Sequence, residues 1–249
     1  MFDSGLGGLT VLREIKKICP NEDVIYIGDE AHFPYGEKSV EQIRQYSLEI
    51  CKNLESQGVK LIVIACNTIT AAALDYISEN VSVPVIGVIE AGVDAVIENT
   101  KNKSVGVLAT KATINSQIYQ KKLLAKNSAL NVISVAAPKL VEFVENEIEM
   151  VLNSPNENLM QAITEYCAPF KQNNCDTVIM ACTHFPPLEP LLQIELGADV
   201  SLVSPSQKTA EEVAKYLAEN NLQSQTPAEY KLISTGSDPN KIQNFFNSF

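Results

Sequence analysis

Short apolar runs alternate along the chain with longer segments whose apolar residues recur every three to four positions. The runs lie at 23–28, 60–65, 84–88, 104–108, 131–136, 177–181, 200–203 and 231–234. Strands buried on both faces have continuous apolar sequences, and the helices between such strands cover the two faces of a parallel sheet. The pattern therefore predicts an α/β protein with mostly parallel sheets.

The segments between these strands predict helices, and the helix that follows Ser39 is the clearest. Ser39 and Gln42 have the spacing of a capping box, and apolar residues at 43, 46, 50 and 54 form a stripe on one helix face before Gly58. The other helices are expected at 10–18, 68–78, 92–100, 116–124, 139–152, 157–172, 187–196, 206–220 and 239–249. A turn-like sequence begins already at Asp3, so the first strand is either very short or lacks its beginning.

Two segments of the chain repeat the same order of features. Residues 59–68 and 175–184 each contain an apolar strand that ends in Ala-Cys and is followed by small polar residues and a helix. The repeat indicates two pseudo-symmetric, doubly wound lobes, with residues 1–92 and 206–249 in the first and residues 93–205 in the second. Doubly wound folds bind ligands beyond the carboxyl ends of their strands. We therefore expect the active site in the cleft between the lobes.

The charge balance and the cysteines narrow the class of protein. Thirty acidic and nineteen basic residues give a net charge of −11 without a Lys/Arg cluster, which argues against nucleic acid or an anionic membrane as the main partner. No apolar segment has membrane-spanning length and no secretory signal precedes Asp3, so a cytoplasmic protein is expected. The six scattered cysteines are expected to be reduced thiols. With two histidines and no CxxC pair, no metal site is predicted.

Cys66 and Cys182, at the ends of the two repeated strands, are suited to moving a proton on and off a carbon atom. A helix that follows a thiol stabilises the thiolate and lowers its pKa from the reference of about 8.5. A thiolate and a thiol on opposite sides of one carbon can remove a proton from one face and return one to the other. The alternative for each cysteine is a small buried hydrophobe. A rival chemistry, covalent catalysis by one cysteine with His184, leaves the second thiol without a role.

Polar residues near these thiols are candidate helpers. Asn67, Thr68 and Thr183 could donate hydrogen bonds to a carbanion-like transition state. Asp3, at a strand tip, could orient or deprotonate a thiol, and His184 could protonate or orient its neighbour. The glycines that follow Asp3 do not match a nucleotide-binding loop and are expected to serve a tight turn.

Taken in order, these motifs resemble those of the glutamate racemases, cofactor-independent enzymes that supply D-glutamate for bacterial cell-wall peptidoglycan. The resemblance runs from Phe2 to about Ala210. It rests on the segments Phe2–Gly5, Gly7–Thr10, Gly28–Asp29, Pro34–Gly36, Lys38–Ser39, Ala65–Thr68, Val83–Val88, Ala109–Ile114 and Cys182–Pro186.

The resemblance implies a role for each candidate residue. Cys66 and Cys182 would be the two bases, with Cys182 acting on L-glutamate and Cys66 on D-glutamate. Asp3 would assist Cys66, and His184 and Glu145 would assist Cys182. The residues implied to hold the amino and carboxylate groups of glutamate are Ser4, Tyr35, Gly36, Asn67, Thr68, Thr110, Thr113 and Thr183. No cofactor or metal is implied, and a homodimer is compatible with the family.

The chain departs from the family pattern at a few positions, and two alternatives to the glutamate assignment stay open. Glu30 and His32 stand where the family has Thr and Arg, and Ile69 stands where it has Ala. The first alternative is an aspartate or related amino-acid racemase of the same superfamily, although these enzymes more often have Glu at the position of His184. The second is a non-catalytic interaction protein on the same scaffold.

Overall fold

The structure is a computed structural model that describes residues 1–247, and it contains two compact units. The first unit comprises residues 1–88 and the segment from Ser206 onward, and the second comprises residues 89–205. Each unit has one fully parallel sheet with helices between its strands. The predicted α/β class is therefore confirmed. Within residues 1–247, none of the helices combines the length and the apolar character needed to cross a membrane.

Strands and helices are numbered in chain order. The strands are β1 (Phe2–Asp3), β2 (Val24–Gly28), β3 (Ile62–Ile64), β4 (Val85–Gly87), β5 (Ser104–Ala109), β6 (Asn131–Ala136), β7 (Thr177–Ala181), β8 (Ser201–Val203) and β9 (Tyr230–Ser234). The helices are α1 (Leu9–Ile18), α2 (Val40–Ser56), α3 (Asn67–Asn80), α4 (Ile89–Asn99), α5 (Lys111–Ser116), α6 (Ile118–Lys126), α7 (Pro138–Asn146), α8 (Ile148–Asn153), α9 (Glu157–Gln172), α10 (Glu189–Leu196), α11 (Pro205–Glu219) and α12 (Pro239–Asn247). Short 3₁₀ helices cover Glu30–His32, Tyr35–Glu37 and Pro186–Leu188.

The strands predicted from the apolar runs are all present. Two segments that were each predicted as one continuous helix are interrupted in the structure. The segment predicted as one helix at 116–124 is divided between α5 and α6 at Gln117, whose left-handed backbone (φ 56°, ψ 16°) interrupts the hydrogen-bond ladder. The helix predicted at 139–152 is interrupted at Glu147, which has φ −135°. The apolar period hardly changes across a single non-helical residue, so it does not reveal such a break. The last two residues of the helix predicted at 239–249 lie outside the described residues.

The sheet of the first unit has the strand order β4-β3-β1-β2-β9. The short β1 is its central strand: Phe2 pairs with Ile27 on one side and with Ile64 on the other. This register aligns the carboxyl ends of β1, β2 and β3 at one edge of the sheet. The first strand is thus very short, which is one of the two alternatives that the sequence analysis gave.

The helix α2 packs against this sheet and fixes the loop in front of it. Its capping box is confirmed, since Ser39 Oγ accepts the Gln42 N–H at 3.2 Å and Gln42 Oε1 accepts the Ser39 N–H at 3.1 Å. Ile43 and Leu54, on its apolar stripe, are buried in one cluster with Ile64 of β3. Each such side chain contributes about 1.5–3 kcal/mol through burial. Tyr35 lies in the same cluster, so the α2 core also holds the loop that carries this residue.

The sheet of the second unit has the strand order β6-β5-β7-β8. Its central strands β5 and β7 are buried along their whole length. Ala109 pairs with Ala181, so the residues that follow them, Thr110 and Cys182, leave the sheet side by side.

Candidate active site

In the first unit, the carboxyl ends of three adjacent strands bring polar side chains to one edge of the sheet. Asp3 ends β1, Asp29 follows β2, and Cys66 follows β3 after one further residue. All three side chains are at least 95% buried. Parallel sheets bind their ligands at this edge.

Cys66 occupies the N-cap position of α3, as predicted. Its backbone is extended (φ −79°, ψ 125°), and its carbonyl accepts the hydroxyl of Thr70 at 2.8 Å. The Sγ atom donates to Ser4 Oγ at 3.7 Å, which joins the loop after β1 to the thiol. Asn67 and Thr68, in the first helical turn, are buried with it. The positive end of the α3 dipole lies at this position, where it stabilises negative charge.

Asp3 is held by a tight turn made by the glycines around it. Its Oδ2 atom accepts the N–H of Gly8 at 3.0 Å and that of Gly5 at 3.4 Å. A Cβ atom on Gly8 would lie 2.5 Å from the Asp3 Cβ atom and 2.8 Å from the hydroxyl of Tyr26. That hydroxyl donates to the Gly5 carbonyl at 2.7 Å. The glycines therefore serve the turn, as expected, and the turn fixes the carboxylate of Asp3.

The loop after β2 places Tyr35 near the Cys66 thiol and Gly36 in the short 3₁₀ helix Tyr35–Glu37. The Tyr35 hydroxyl donates to Asp29 Oδ2 at 2.5 Å. Burial raises the pKa of Tyr35, and the hydrogen bond to Asp29 and the negative charges of Asp29 and Cys66 raise it further. Tyr35 therefore remains a protonated donor, within electrostatic reach of the thiol. The sequence prediction gave Asp29 no role, although its position after a strand is the signal that identified Asp3.

In the second unit, Cys182 follows β7 and is 5% exposed. The expectation that Cys182, like Cys66, lies at a helix N-terminus was wrong, although the helix predicted at 187–196 is present as α10. The chain turns back instead, with the Phe185 N–H donating to the Cys182 carbonyl at 3.1 Å, and α10 begins only at Glu189. Pro186 and Pro187 have no N–H group and so cannot donate to a helical ladder at this point. A helix dipole is therefore not what acts on this thiol.

Cys182 has a histidine and a carboxylate behind it. The Sγ atom lies 3.9 Å from His184 Nδ1, and His184 Nε2 lies 2.7 Å from Glu145 Oε2. Burial by itself lowers the pKa of His184, but the hydrogen bonds to Cys182 and Glu145 and their negative charges outweigh it and raise this pKa well above the ordinary value. An imidazolium is thus favoured between the thiol and the carboxylate. The structure brings Glu145 of α7 to His184 across 39 residues of sequence.

Three threonines lie near the same strand ends of the second unit. Thr110 caps α5, with its hydroxyl oxygen accepting the Thr113 N–H at 3.3 Å, and the two hydroxyl oxygens are 3.1 Å apart. Thr113 and Thr183 are buried. Tyr119, which the sequence prediction missed, is also buried, and the charge of Cys182 adds to the effect of burial in raising the pKa of its phenol. A tyrosine within an apolar helix pattern carries no signal of such a neighbour.

The candidate residues thus form one group in each unit. Asp3, Ser4, Tyr35, Gly36, Cys66, Asn67 and Thr68 belong to the first unit, and Thr110, Thr113, Glu145, Cys182, Thr183 and His184 belong to the second. All six cysteines of the chain are free and buried. Among residues 1–247, no three side chains of His, Cys, Asp or Glu are grouped so that they could bind a metal ion.

Comparison with known proteins assigns a family to this arrangement. The family model for Asp/Glu/hydantoin racemases matches residues 6–213. A glutamate racemase from Lysinibacillus sphaericus (strain C3-41) is 39% identical over 241 residues, which cover 96% of this chain and 89% of that protein. The chain therefore belongs to the Asp/Glu/hydantoin racemase family, a class of isomerases.

Glutamate racemases are among the solved structures to which the chain is similar. An isoform from Bacillus anthracis has a TM-score of 0.91 at 36% sequence identity, and the match covers 98% of this chain and 90% of the other. The enzyme from Francisella tularensis subsp. tularensis SCHU S4, solved in complex with D-glutamate, has a TM-score of 0.88 at 37% identity, with the same coverage of 98% and 90%.

Proposed function

We propose that this protein interconverts L- and D-glutamate without a cofactor and that Cys66 and Cys182 are its two bases. The observation that carries the proposal is the presence, in each unit, of a free and nearly buried thiol at the carboxyl end of a strand, with polar partners of its own. A buried cysteine with a purely structural role needs no such partners. The similarity to glutamate racemases over nearly the whole chain supports glutamate as the substrate.

In the proposed reaction, the Cys182 thiolate removes the α-proton of L-glutamate and the Cys66 thiol donates a proton to the opposite face of the same carbon. The electron pair of the broken C–H bond stays on the α-carbon and forms the new C–H bond. The reaction leaves a thiol at Cys182 and a thiolate at Cys66. From D-glutamate the same steps run in reverse: the Cys66 thiolate removes the α-proton and the Cys182 thiol donates one. Each direction therefore begins with one cysteine as a thiolate and the other as a thiol.

The neighbours of the two thiols supply the proton chemistry. His184, kept cationic by Glu145, stabilises the Cys182 thiolate through its Nδ1–H group. On the other side, we propose that Asp3, fixed by Gly5 and Gly8, assists Cys66 in giving and taking its proton. The proposed substrate-holding groups are the hydroxyls and amides of Ser4, Tyr35, Gly36, Asn67, Thr68, Thr110, Thr113 and Thr183. Donors fixed before the reaction stabilise developing charge at little reorganisation cost.

The test is exchange of the α-proton in D₂O, followed by ¹H NMR, together with optical rotation for racemisation. The wild-type protein is expected to exchange and racemise both enantiomers of glutamate. Cys66→Ser and Cys182→Ser should each lose about 10²- to 10⁴-fold of the rate, the usual contribution of an acid or base. Cys175→Ser is the matched control, because Cys175 lies just before the opposite end of β7 and its sulfur is within hydrogen-bond distance of the Ser104 hydroxyl, at 3.7 Å.

Two outcomes would redirect the assignment. Faster racemisation of aspartate than of glutamate would favour the aspartate racemase alternative. A folded protein that exchanges the α-proton of neither amino acid would leave the non-catalytic interaction protein as the better description.

The proposed role in the cell is supply of D-glutamate for peptidoglycan synthesis, and hence for maintenance of cell shape. We propose that the enzyme works in the cytoplasm, where its six thiols would stay reduced. A homodimer is also proposed, by resemblance to the family, and sedimentation of the purified protein would test it.

A further inference from the structure

The buried carboxylate of Asp29 connects two segments that are far apart in the sequence. Its Oδ2 atom accepts the Tyr35 hydroxyl at 2.5 Å and lies 2.9 Å from His32 Nδ1. Its Oδ1 atom accepts the hydroxyl of Thr235 at 2.7 Å. Asp29 is only 2% exposed, so these contacts replace solvent around the carboxylate.

Thr235 is fixed by the sheet from which it emerges. It follows β9, which pairs with β2 along its whole length and aligns Ser234 with Gly28. The Thr235 N–H donates to the Gly28 carbonyl at 3.1 Å, and its hydroxyl oxygen accepts the Ala31 N–H at 3.0 Å. Because the hydroxyl oxygen accepts the Ala31 N–H, its own proton is directed toward Asp29.

A second connection joins the same two segments. Glu30, one residue after Asp29, accepts the hydroxyl of Ser234 and forms an ion pair with Lys241 of α12 at 3.1 Å. The carboxyl-terminal segment thus holds the beginning of the loop that carries Tyr35 and Gly36. The family model ends at Val213, so Thr235 lies beyond the residues that this model matches.

We propose that Thr235 and Asp29 are positioning residues for substrate binding, acting through Tyr35. The hydroxyl of Thr235 orients the Asp29 carboxylate, the carboxylate holds the Tyr35 hydroxyl, and the Tyr35–Glu37 turn is thereby fixed where its Gly36 amide can meet the substrate carboxylate. This inference rests on the proposed function for the substrate. Its structural part, the control of one loop by the carboxyl-terminal segment, stands on the contacts alone.

The central variant is Thr235→Val, which keeps the side-chain shape and removes the hydroxyl. A group that holds substrate and transition state equally well affects KM and leaves kcat unchanged. Loss of one hydrogen bond to a charged group should then raise KM about tenfold for both enantiomers, with kcat within about twofold of wild type. Thr235→Ser keeps the hydroxyl and should restore the wild-type KM. Thr226→Val is the matched control, since Thr226 is exposed and its hydroxyl oxygen lies 3.1 Å from that of Ser224.

A double-mutant cycle tests whether Thr235 acts through Tyr35. Tyr35→Phe should raise KM to a similar extent, and the double variant Thr235→Val/Tyr35→Phe should be little worse than either single variant. Effects on KM that multiply would overturn the proposal, as would a Thr235→Val protein with the KM of wild type.

A readout without substrate separates this proposal from the proposed function. Hydrogen exchange of the amides in residues 29–38 should be faster in Thr235→Val and in Tyr35→Phe than in wild type, and unchanged in Thr226→Val. If the wild-type protein does not racemise glutamate, the proposed function fails while this measurement still decides whether the contacts fix the loop. Unchanged exchange in both variants overturns the positioning role, and if Thr235→Val does not fold, Tyr35→Phe provides the same test.

Discussion

Replacing Glu145 by glutamine removes the negative charge beside His184 while keeping the shape of the side chain. The His184 Nε2 and Glu145 Oε2 atoms are 2.7 Å apart, and each side chain is 3% exposed, so solvent hardly screens this pair. A hydrogen bond to a charged partner contributes about 1.5–3 kcal/mol. If that stabilisation supports the cationic His184 beside the Cys182 thiolate, kcat/KM should fall about 10- to 150-fold, at 1.36 kcal/mol for each factor of ten.

The direction of the reaction gives this prediction a sharper form. The two enantiomers have equal free energies, so kcat/KM must fall by the same factor for L- and D-glutamate. The isotope effects need not change equally, because Cys182 removes the α-proton only from L-glutamate. In Glu145→Gln, the isotope effect with α-deuterated L-glutamate should rise toward its intrinsic value, and the effect with α-deuterated D-glutamate should decrease.

The pH dependence of the same variant follows from the raised pKa of His184. A group with a raised pKa keeps its proton until the pH passes that raised value, so the wild-type enzyme retains the imidazolium to higher pH than an ordinary histidine would. Without the Glu145 charge, the proton is lost earlier, and the basic limb of the kcat/KM profile should move to lower pH.

Glu142→Gln is the control for these measurements, since Glu142 lies one turn earlier on α7 and is exposed. A Glu145→Gln enzyme with kcat/KM within twofold of wild type and an unmoved basic limb would refute the role given to this pair. An increased isotope effect for D-glutamate instead of L-glutamate would reverse the assignment of the two bases.

Three further predictions concern the rest of the fold. Gly8→Ala should destabilise the protein by about 1–3 kcal/mol in urea unfolding, because its Cβ would lie 2.5 Å from that of Asp3, and wild-type stability would show that the turn can shift freely. Ser39→Ala should lower the unfolding free energy by about 1 kcal/mol through loss of the cap on α2 and leave KM unchanged. The control Ser56→Ala, at an exposed position, should lower it by less. Burial raises the pKa of Cys51 and Cys167 to about 12, so their contribution to stability is present below the ordinary thiol pKa and is lost as the pH rises toward 12. The free energy of unfolding should therefore decline less steeply with rising pH in Cys51→Ala/Cys167→Ala than in wild type. An equally steep decline in the variant would contradict this reasoning.

The local parts of the fold could be predicted from the sequence because they depend on neighbouring residues. Apolar runs located the strands β2 to β9, and the bounds of β6 and β7 were those predicted, whereas the two-residue β1 has no such run. Ser39 and Gln42 are three residues apart, so their capping box is visible as a sequence pattern. The position of Cys66 at the end of a strand and the start of a helix is local in the same sense. Charge and the absence of a basic cluster determined the class of partner to expect.

Only the tertiary structure decided which distant residues meet. Cys66 and Cys182 have similar flanking sequences, yet one lies at a helix N-terminus and the other contacts His184, because two prolines follow the second. Glu145 reaches His184 across 39 residues, and Asp29 reaches Thr235 across 206. These contacts follow from strand order and register, which bring β9 beside β2 and Thr110 beside Cys182. Periodicity along a chain contains no information on that order, since each parallel strand is apolar in the same way.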